Sequence, residues 1–351
     1  MDQNIIMQQK FSKLKILNCG DNKKINDVNH LADTLTELYC GRESYGEFCG
    51  IDQHGISQLK SLKILNCPNN EKINNEKINN VNHLADTLIE LYCGLESCID
   101  QDGISQLKSL KILGCTNNKK INNVNHLADT LEELCCGEFC GIDQYGISQL
   151  KSLKILNCPN NEKINNVNHL AYTLEYLDCY QHCGIDQNGI SQLKILKMLD
   201  CAVNKKINDV NHLTDTLVGL GCGSICGVTQ YGISQLKLLE KLYCSYNNKI
   251  NNANHLTNTL VDLRCEGDES GGIDQNGISE LKNLKVLKCS RNNNINDVNH
   301  LANTLVELHC SYGSGIDQNG ISQLKSLKIL DCRGNRNINN VDHLPTIRLE
   351  K

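Results

Sequence analysis

A short pattern of apolar and polar positions recurs along the chain. Its clearest copy is the stretch Leu153-Lys-Ile-Leu156-Asn-Cys158-Pro-Asn-Asn161-Glu-Lys-Ile164. Because side chains alternate along an extended backbone, Leu156 and Cys158 face one way while residues 155 and 157 face the other. The pattern therefore predicts a β-strand. A strand this short is not stable alone, so the copies must stack on one another.

An asparagine closes each strand of this kind. Its side-chain amide is able to turn inward and bond backbone groups of its own turn and of the neighbouring turn, which burial would otherwise leave without partners. We therefore expect a structural ladder of asparagines along the stack. Its members are Asn22, Asn70, Asn118, Asn161, Asn204, Asn247, Asn292 and Asn335.

A second unit alternates with the first. It has the same strand pattern, as in Leu174-Glu-Tyr-Leu177-Asp-Cys179, but it lacks the asparagine and returns through residues 183–193. So few residues per repeat leave room on the return side only for short helical or 3-10 turns, which we predict at Ile190–Leu193 and Val167–Leu170. Insertions at residues 42–46, 71–80 and 266–272 are expected to loop out at strand ends.

Both units resemble leucine-rich repeats, over nearly the whole chain. The asparagine-bearing unit, L-x-x-L-x-C-x-x-N-x-x-I-x-x-V-x-x-L, is similar to the short repeats of bacterial internalins and of phosphatase-regulating repeat proteins. The other unit resembles the cysteine-containing repeats of F-box proteins, most nearly at Cys226-Gly-Val-Thr-Gln-Tyr-Gly-Ile233, which departs by one residue in spacing and has Gln where Asp is usual. The Asn- and Ile-rich alternation also resembles repeat proteins of giant viruses and their protist hosts.

The resemblance implies an α/β fold. We expect a right-handed leucine-rich repeat solenoid, or horseshoe, with a parallel β-sheet on the concave face and short helical or 3-10 turns on the convex face. Residues 1–351 would form a single leucine-rich repeat domain of about 14 repeats, with partial units at both ends. Open ends of such a stack expose apolar surface, so we expect a monomer that is open to end-to-end association.

Composition argues against several classes of protein. The net charge of −5 gives no basic footprint for nucleic acid, no apolar run has the length of a membrane span, and the N-terminus lacks the pattern of a signal peptide. Most of the 21 cysteines occupy the inward strand position. Parallel strands place them about 4.8 Å apart and pointing the same way, which is poor disulfide geometry. We therefore expect reduced core thiols and a cytoplasmic, reducing compartment.

Periodic histidines, cysteines and carboxylates suggest chemistry, but each set has a simpler interpretation. A histidine recurs once in each asparagine-bearing unit, yet copies in alternate coils are about 9–10 Å apart and cannot share a zinc ion. The C-x-x-x-C pairs, such as Cys222 and Cys226, lack further ligands to complete a metal site. The carboxylates form a periodic row rather than a pair in unlike environments. The sequence therefore predicts no metal, no cofactor, no catalytic residue and no enzyme.

The outward strand positions carry the candidate binding residues. One position holds apolar side chains in the asparagine-bearing units and a row of acids in the others, while the next position varies from copy to copy. Exposed apolar residues in a line are uncommon unless something covers them, and Tyr and Arg are typical interface anchors. We predict that a partner protein binds the concave face through Glu37, Tyr39, Asn66, Glu90, Tyr92, Glu133, Tyr243, Arg264, Lys288 and His309. Within this set an acidic, tyrosine-bearing half precedes a basic patch of Arg264, Lys288 and His309.

The sequence thus predicts a non-catalytic scaffold for protein–protein interaction that binds neither nucleic acid nor membrane. The alternative is the substrate-recognition repeat region of a ubiquitin-ligase adaptor of the F-box type, which the resemblance of the second unit implies. An F-box is a helical module larger than the few residues that precede the first strand here. This alternative therefore requires an N-terminal module that is absent from this sequence.

Overall fold

The computed structural model describes residues 2–41, 49–69, 77–95, 97–267, 272–344 and 347–350. The chain divides into two compact units, residues 1–174 (unit 1) and residues 175–351 (unit 2). Both units repeat the same coil, in which a three-residue strand is followed by a turn, a short helical segment and the next strand.

Unit 1 is built on parallel strands, and strands that are neighbours in sequence are neighbours in the sheet. The register is regular, since Leu17 lies opposite Leu38 and Leu38 lies opposite Leu65. The strands are β1 (Ile16–Asn18), β2 (Glu37–Tyr39), β3 (Ile64–Asn66), β4 (Glu90–Tyr92), β5 (Ile112–Gly114), β6 (Glu133–Cys135) and β7 (Ile155–Asn157). The return segments hold the α-helical turns α1 (Gln3–Ile6), α2 (Gln53–Ile56), α3 (Gln101–Ile104) and α4 (Gln144–Ile147), and 3-10 turns at Gln9–Phe11, Asn29–Leu31, Asn82–Leu84, Asn125–Leu127 and Asn168–Leu170.

Unit 2 repeats this arrangement. Leu199 lies opposite Leu220, and Leu220 lies opposite Leu242. The strands are β8 (Tyr176–Asp178), β9 (Met198–Asp200), β10 (Gly219–Gly221), β11 (Lys241–Tyr243), β12 (Asp262–Arg264), β13 (Val286–Lys288), β14 (Glu307–His309), β15 (Ile329–Asp331) and β16 (Arg348–Glu350). The helical turns are α5 (Gln187–Ile190), α6 (Gln230–Ile233) and α7 (Gln275–Ile278), with 3-10 turns at Asn211–Leu213, Asn254–Leu256, Asn299–Leu301 and Asn319–Ile321.

The apolar positions of the repeat form the core of each unit. Leu153, Leu156 and Cys158 are fully buried, as the alternation of side chains predicts. Burying one leucine in this way contributes roughly 1.5–3 kcal/mol relative to leaving it in water. The predicted α/β solenoid class is confirmed within each unit, with a parallel sheet along one side and short helical turns along the other.

A capped helical turn opens the return segment of the second kind of repeat. In α4, Asp143 Oδ1 accepts a hydrogen bond from the amide of Gly146 at 2.9 Å, which satisfies one of the first helical N–H groups. Gly146 also packs so closely that a Cβ there would lie 2.1 Å from the carbonyl oxygen of Asn122. The Asp-Gln-x-Gly-Ile motif is therefore a structural signal for the return turn.

Both predicted return turns are present. At Ile190–Leu193 the amide of Leu193 donates to the carbonyl oxygen of Ile190 at 3.1 Å, and this turn directly follows the helix α5, which Asp186 caps and which starts at Gln187. The turn predicted at Val167–Leu170 is confirmed by the 3-10 helix at Asn168–Leu170.

The ladder asparagines bond backbone groups of two successive coils. Asn161 Nδ2 donates to the carbonyl oxygens of Cys136 at 2.8 Å and Ile142 at 3.1 Å, and its Oδ1 accepts from the amide of Lys163 at 3.0 Å. Each bonded carbonyl belongs to the preceding coil, so the side chain joins the two coils. Equivalent contacts occur at Asn118, Asn204, Asn247, Asn292 and Asn335.

Parts of the predicted pattern lie outside the described residues. These are Asn70, all of the insertion at 42–46, residues 71–76 of the second insertion and residues 268–271 of the third. Asn22, in the first repeat, is half-buried, and its Oδ1 accepts from the amide of Lys24 at 3.0 Å. Within the ranges that the structure describes, no helix is long and apolar enough to cross a membrane.

A second ladder, of glutamines, joins the return segments. Gln144 Nε2 donates to the carbonyl oxygen of Asn166 at 2.9 Å, and its Oε1 accepts from the amides of Asn165 and Asn166 at 3.0 and 2.9 Å. This ladder was not predicted, although its signal in the sequence is the glutamine that recurs after each capping residue. Equivalent contacts occur at Gln3, Gln53, Gln101, Gln187, Gln230 and Gln275.

The periodic histidines also link coils. His126 Nε2 lies 3.1 Å from the carbonyl oxygen of Ile104 in the preceding return segment. Burial lowers the pKa of five of these rings, those of His83, His126, His169, His212 and His255. No group of three or more His, Cys, Asp and Glu side chains within the described ranges is arranged to hold a metal ion.

All 21 cysteines carry thiols rather than disulfides. Cys98 and Cys135 are half-buried and the others are buried. Burial raises the pKa of Cys67 to about 12, which suits its use as a small apolar residue. Sulfur atoms of adjacent coils lie close together at several places in the core. Examples are Cys115 and Cys140 at 3.5 Å, Cys201 and Cys226 at 3.8 Å, and Cys19 and Cys49 at 4.0 Å.

Candidate functional site

One column of side chains on the open face of the unit 1 sheet alternates between isoleucine and glutamate. The strand register places each glutamate beside isoleucines of the adjacent strands, and Ile16 is 55% exposed while the other members are half-buried. Because adjacent strands are about 4.8 Å apart, successive glutamates are about 9.6 Å apart. We call this set the alternating column, and its members in strand order are Ile16, Glu37, Ile64, Glu90, Ile112, Glu133 and Ile155.

Two tyrosines fix the carboxylates of the alternating column. The hydroxyl of Tyr39 donates to Glu37 Oε2 at 3.1 Å, and that of Tyr92 donates to Glu90 Oε2 at 3.3 Å. The ring of Tyr92 leans over the next strand, where a Cβ on Gly114 would lie 2.8 Å from Tyr92 Cδ1. Burial and the neighbouring charge of Glu90 raise the pKa of Tyr92 to about 12, so its hydroxyl remains a donor at neutral pH.

The remaining predicted residues of unit 1 lie on the same face. Asn66 stands between Tyr39 and Tyr92 in the neighbouring column of outward side chains. Glu133 continues the alternating column on β6, where Cys135 Sγ lies 3.8 Å from its carboxylate. The structure therefore brings the six predicted residues of unit 1 together on one surface.

Among the described residues of unit 1, the ion pairs use acids that lie outside the strands, and none of these pairs includes Glu37, Glu90 or Glu133. Lys154 and Lys111 bond the half-buried Glu132 and lower its pKa to about 2. The pairs join Lys60 with Asp33, Lys108 with Asp86, Lys151 with Asp129, and both Lys111 and Lys154 with Glu132.

The predicted anchors of unit 2 bind one another. Tyr243 donates its hydroxyl to Asp262 Oδ2 at 3.0 Å, and Arg264 Nη2 lies 3.1 Å from the same oxygen. The Arg264 guanidinium also stacks over the Tyr243 ring at 4.1 Å from its centroid. These three side chains therefore form a self-satisfied cluster on β11 and β12.

Acids on the same face pair with the predicted basic patch of unit 2. Lys288 Nζ and His309 Nε2 lie 3.1 and 2.8 Å from Glu307 Oε1. His309 Nδ1 lies 3.4 Å from Asp331 Oδ2, which Arg333 contacts at 2.7 Å. Comparing the outward positions of adjacent strands in the sequence would have revealed these pairs.

Two aspartates face each other at the start of unit 2. Asp178 lies opposite Asp200, and their Oδ1 atoms accept hydrogen bonds from the amides of Tyr180 and Ala202 at 3.1 and 3.0 Å. Burial raises the pKa of both carboxyl groups, and the charge of Asp200 adds to this effect at Asp178. A Cβ on Gly221 would lie 2.8 Å from Asp200 Cγ, so the glycine gives this carboxylate its space.

Comparison with known proteins shows which fold this is. One similar structure is the functional domain of InlJ from Listeria monocytogenes, which includes a cysteine ladder; it is 23% identical with a TM-score of 0.59, over 90% of this chain and 66% of that chain. Another is the TLR13–ssRNA13 complex, with 17% identity and a TM-score of 0.51, over 96% of this chain and 54% of that chain. The chain thus spans just under two thirds of the first and about half of the second. No family model and no curated protein sequence matches the chain.

Both neighbours are built from leucine-rich repeats, and at these identities the likeness concerns the fold. The strand-and-turn coils of units 1 and 2, with their buried leucines, cysteines and asparagines, follow the same plan. The predicted resemblance is therefore confirmed, and in fold the chain is a leucine-rich repeat solenoid.

Proposed function

We propose that the chain is a non-catalytic scaffold that binds a partner protein on the open face of the unit 1 sheet. The observation that carries this proposal is the alternating column, in which one exposed and three half-buried isoleucines lie beside glutamates that pair with no cation among the described residues. Exposed apolar residues in a row, next to tyrosines, are typical of protein interfaces. The binding residues are Glu37, Tyr39, Asn66, Glu90, Tyr92 and Glu133.

The return side is less suited to bind a partner, because its polar side chains already form hydrogen bonds with neighbouring coils. Asn125 Nδ2 donates to the carbonyl oxygen of Tyr145 at 2.8 Å, and its Oδ1 accepts from the amide of Gln149 at the same distance. Gln144 and His126 are engaged in the same way. A partner there would have to displace contacts that hold the coils together.

The charge of the face favours a protein partner with basic groups. TLR13 is bound to RNA in the complex described above. In this chain, the glutamates of the alternating column would repel the phosphates of RNA, whose binding depends on lysine and arginine. The proposed partner is therefore a protein that carries basic groups, and nucleic acid is not part of the proposal.

Affinity capture with matched variants tests the proposal. The wild-type chain and the double variant Tyr92→Ala with Glu90→Lys are used as bait in the same lysate, and the captured proteins are compared by mass spectrometry. We expect the variant to lose a protein that the wild type captures, because it removes an anchor and reverses a charge on the face.

The control makes the same two kinds of change on the return side. Tyr145→Ala with Asp102→Lys alters an exposed tyrosine, 73% accessible, and an exposed acid of unit 1. This control should capture the same protein as the wild type. Loss of capture in the control alone, with the face variant unaffected, would contradict the proposal.

A further inference from the structure

The spacing of the glutamates in the alternating column suits one kind of polypeptide. Successive glutamates are about 9.6 Å apart across the strands. A polyproline-II helix rises about 3.1 Å per residue and has three residues per turn, so every third side chain lies on one edge at intervals of about 9.3 Å. Side chains four residues apart are about 12.4 Å apart and point in different directions.

The charges on the unit 1 face indicate the sign of the charge that a partner must carry. On the unit 2 sheet, acids at the same outward position are neutralised from within: Asp262 by Arg264, and Glu307 by Lys288. On unit 1, Glu37 and Glu90 are held by tyrosine hydroxyls, which orient the carboxylates without neutralising them. The unit 1 face is therefore complementary to cations supplied by another molecule.

The isoleucines indicate that a partner's side chains must also have an apolar part. Ile64 lies between the strands of Glu37 and Glu90, and Ile112 lies between those of Glu90 and Glu133. A cationic side chain that reaches a glutamate passes its aliphatic stem over this apolar surface, which buries the stem and keeps the charge at the carboxylate.

We infer that the alternating column binds an extended, polyproline-II-type segment of a partner protein that carries lysine or arginine at every third residue. The segment crosses the strands of unit 1, and its cations meet Glu37, Glu90 and Glu133 in turn. This inference rests on the proposed function and adds the chemistry and conformation of the partner. An α-helix would need cations seven residues apart, about 10.5 Å, and its stripe would rotate by about 20° at each step.

Three synthetic peptides test the inference against the full chain at low ionic strength. One is Lys-Pro-Pro repeated three times, the second is Lys-Pro-Pro-Pro repeated three times, and the third is Glu-Pro-Pro repeated three times. Binding is measured by fluorescence anisotropy of labelled peptide. We expect the first peptide to bind at least about fivefold more tightly than the second, because only its lysines reach all three glutamates, and we expect no binding of the third.

Variants identify the binding surface. Glu90→Gln removes one charge and keeps an acceptor for Tyr92. It should therefore lower the affinity for the first peptide about two- to fivefold and leave the melting temperature unchanged. Asp102→Asn removes one charge from the return side and should leave the affinity unchanged. Raising the ionic strength should weaken binding of the first peptide by the wild type.

The outcomes separate this inference from the proposed function. Three results would overturn the inference. They are equal affinity for the two lysine spacings, tighter binding of a helical peptide with lysine at every seventh residue, and equal losses of peptide affinity in Glu90→Gln and Asp102→Asn. If that happens while the Tyr92→Ala/Glu90→Lys variant still loses its captured protein, the proposed function stands with a different partner. If that variant also captures normally, both fail.

Discussion

Single polar side chains join the coils of this chain to one another. Asn161 is the clearest example, since one buried amide bonds two carbonyl groups of the preceding coil and one amide of its own turn. A backbone group that is buried without a hydrogen bond costs more free energy than the bond itself contributes. The ladder positions should therefore be more sensitive to substitution than their size suggests.

Asn161→Ala should lower the free energy of unfolding by roughly 1–3 kcal/mol, because it removes two buried hydrogen bonds and one partly buried hydrogen bond. Urea denaturation followed by circular dichroism measures the change. Asn165→Ala, at an exposed position four residues later, is the control and should have little effect. Equal effects of the two substitutions would refute the role given to the ladder.

Asp200→Asn should raise the melting temperature at about pH 7. Because burial raises the pKa of Asp200 in the folded state, ionisation above the unfolded value of about 3.9 weakens the fold. Asparagine carries no charge and keeps the acceptor for Ala202. Asp331→Asn should lower the melting temperature at about pH 7, because the hydrogen bond from Arg333 lowers the pKa of Asp331 and its ionised form stabilises the fold. Thermal melts at about pH 7 and about pH 3 test this, and a gain for Asp200→Asn that persists at the lower pH would contradict it.

At the scale of elements, the strands could be predicted from sequence because the spacing of leucine and cysteine alone defines them. The asparagine ladder could also be predicted, because one polar position recurs in an otherwise apolar repeat. The glutamine ladder was missed because its partners are backbone groups of the next coil, such as those of Asn166, which side-chain patterns do not display. The helix α5, which precedes the predicted turn at Ile190–Leu193, depends on the cap at Asp186, and the spacing of apolar residues does not mark this cap. Lys288 pairs with Glu307 on β14, and this pair follows from aligning the outward positions of adjacent strands.

The histidine column should make stability depend on pH. Burial lowers the folded pKa of five rings below the unfolded value of about 6.5, so the neutral ring is favoured in the folded state. Stability is therefore full above about pH 6.5 and is lost as the pH falls through the lowered pKa values. Melting temperatures between about pH 7.5 and about pH 5.5 should show this decline.

His126→Gln isolates the contribution of the column. The variant cannot be protonated, so its melting temperature should fall less steeply with pH than that of the wild type. His54→Gln, on an exposed part of α2, is the control and should keep the wild-type slope. Identical slopes for all three proteins would exclude a role for the column in the pH dependence.

For the whole molecule, the thiols report on packing. Cys98 and Cys135 are half-buried and the other cysteines are buried, so an alkylating reagent should modify these two first in the folded protein. Without reductant, all 21 should react after denaturation. Mass spectrometry counts the added groups. A lower count in denaturant would mean that disulfides are present, against the interpretation of the cysteines as apolar core residues.

The central claim is that a partner protein covers the open sheet face of unit 1, and hydroxyl-radical footprinting of the captured complex tests it most directly. We predict that binding reduces oxidation of Tyr39, Tyr92 and Ile64, which all lie on this face. Tyr145 and Tyr172, 73% and 77% exposed on the return side, should be oxidised as in the chain alone. Protection of Tyr145 and Tyr172, with Tyr39 and Tyr92 oxidised at their original rates, would contradict the claim.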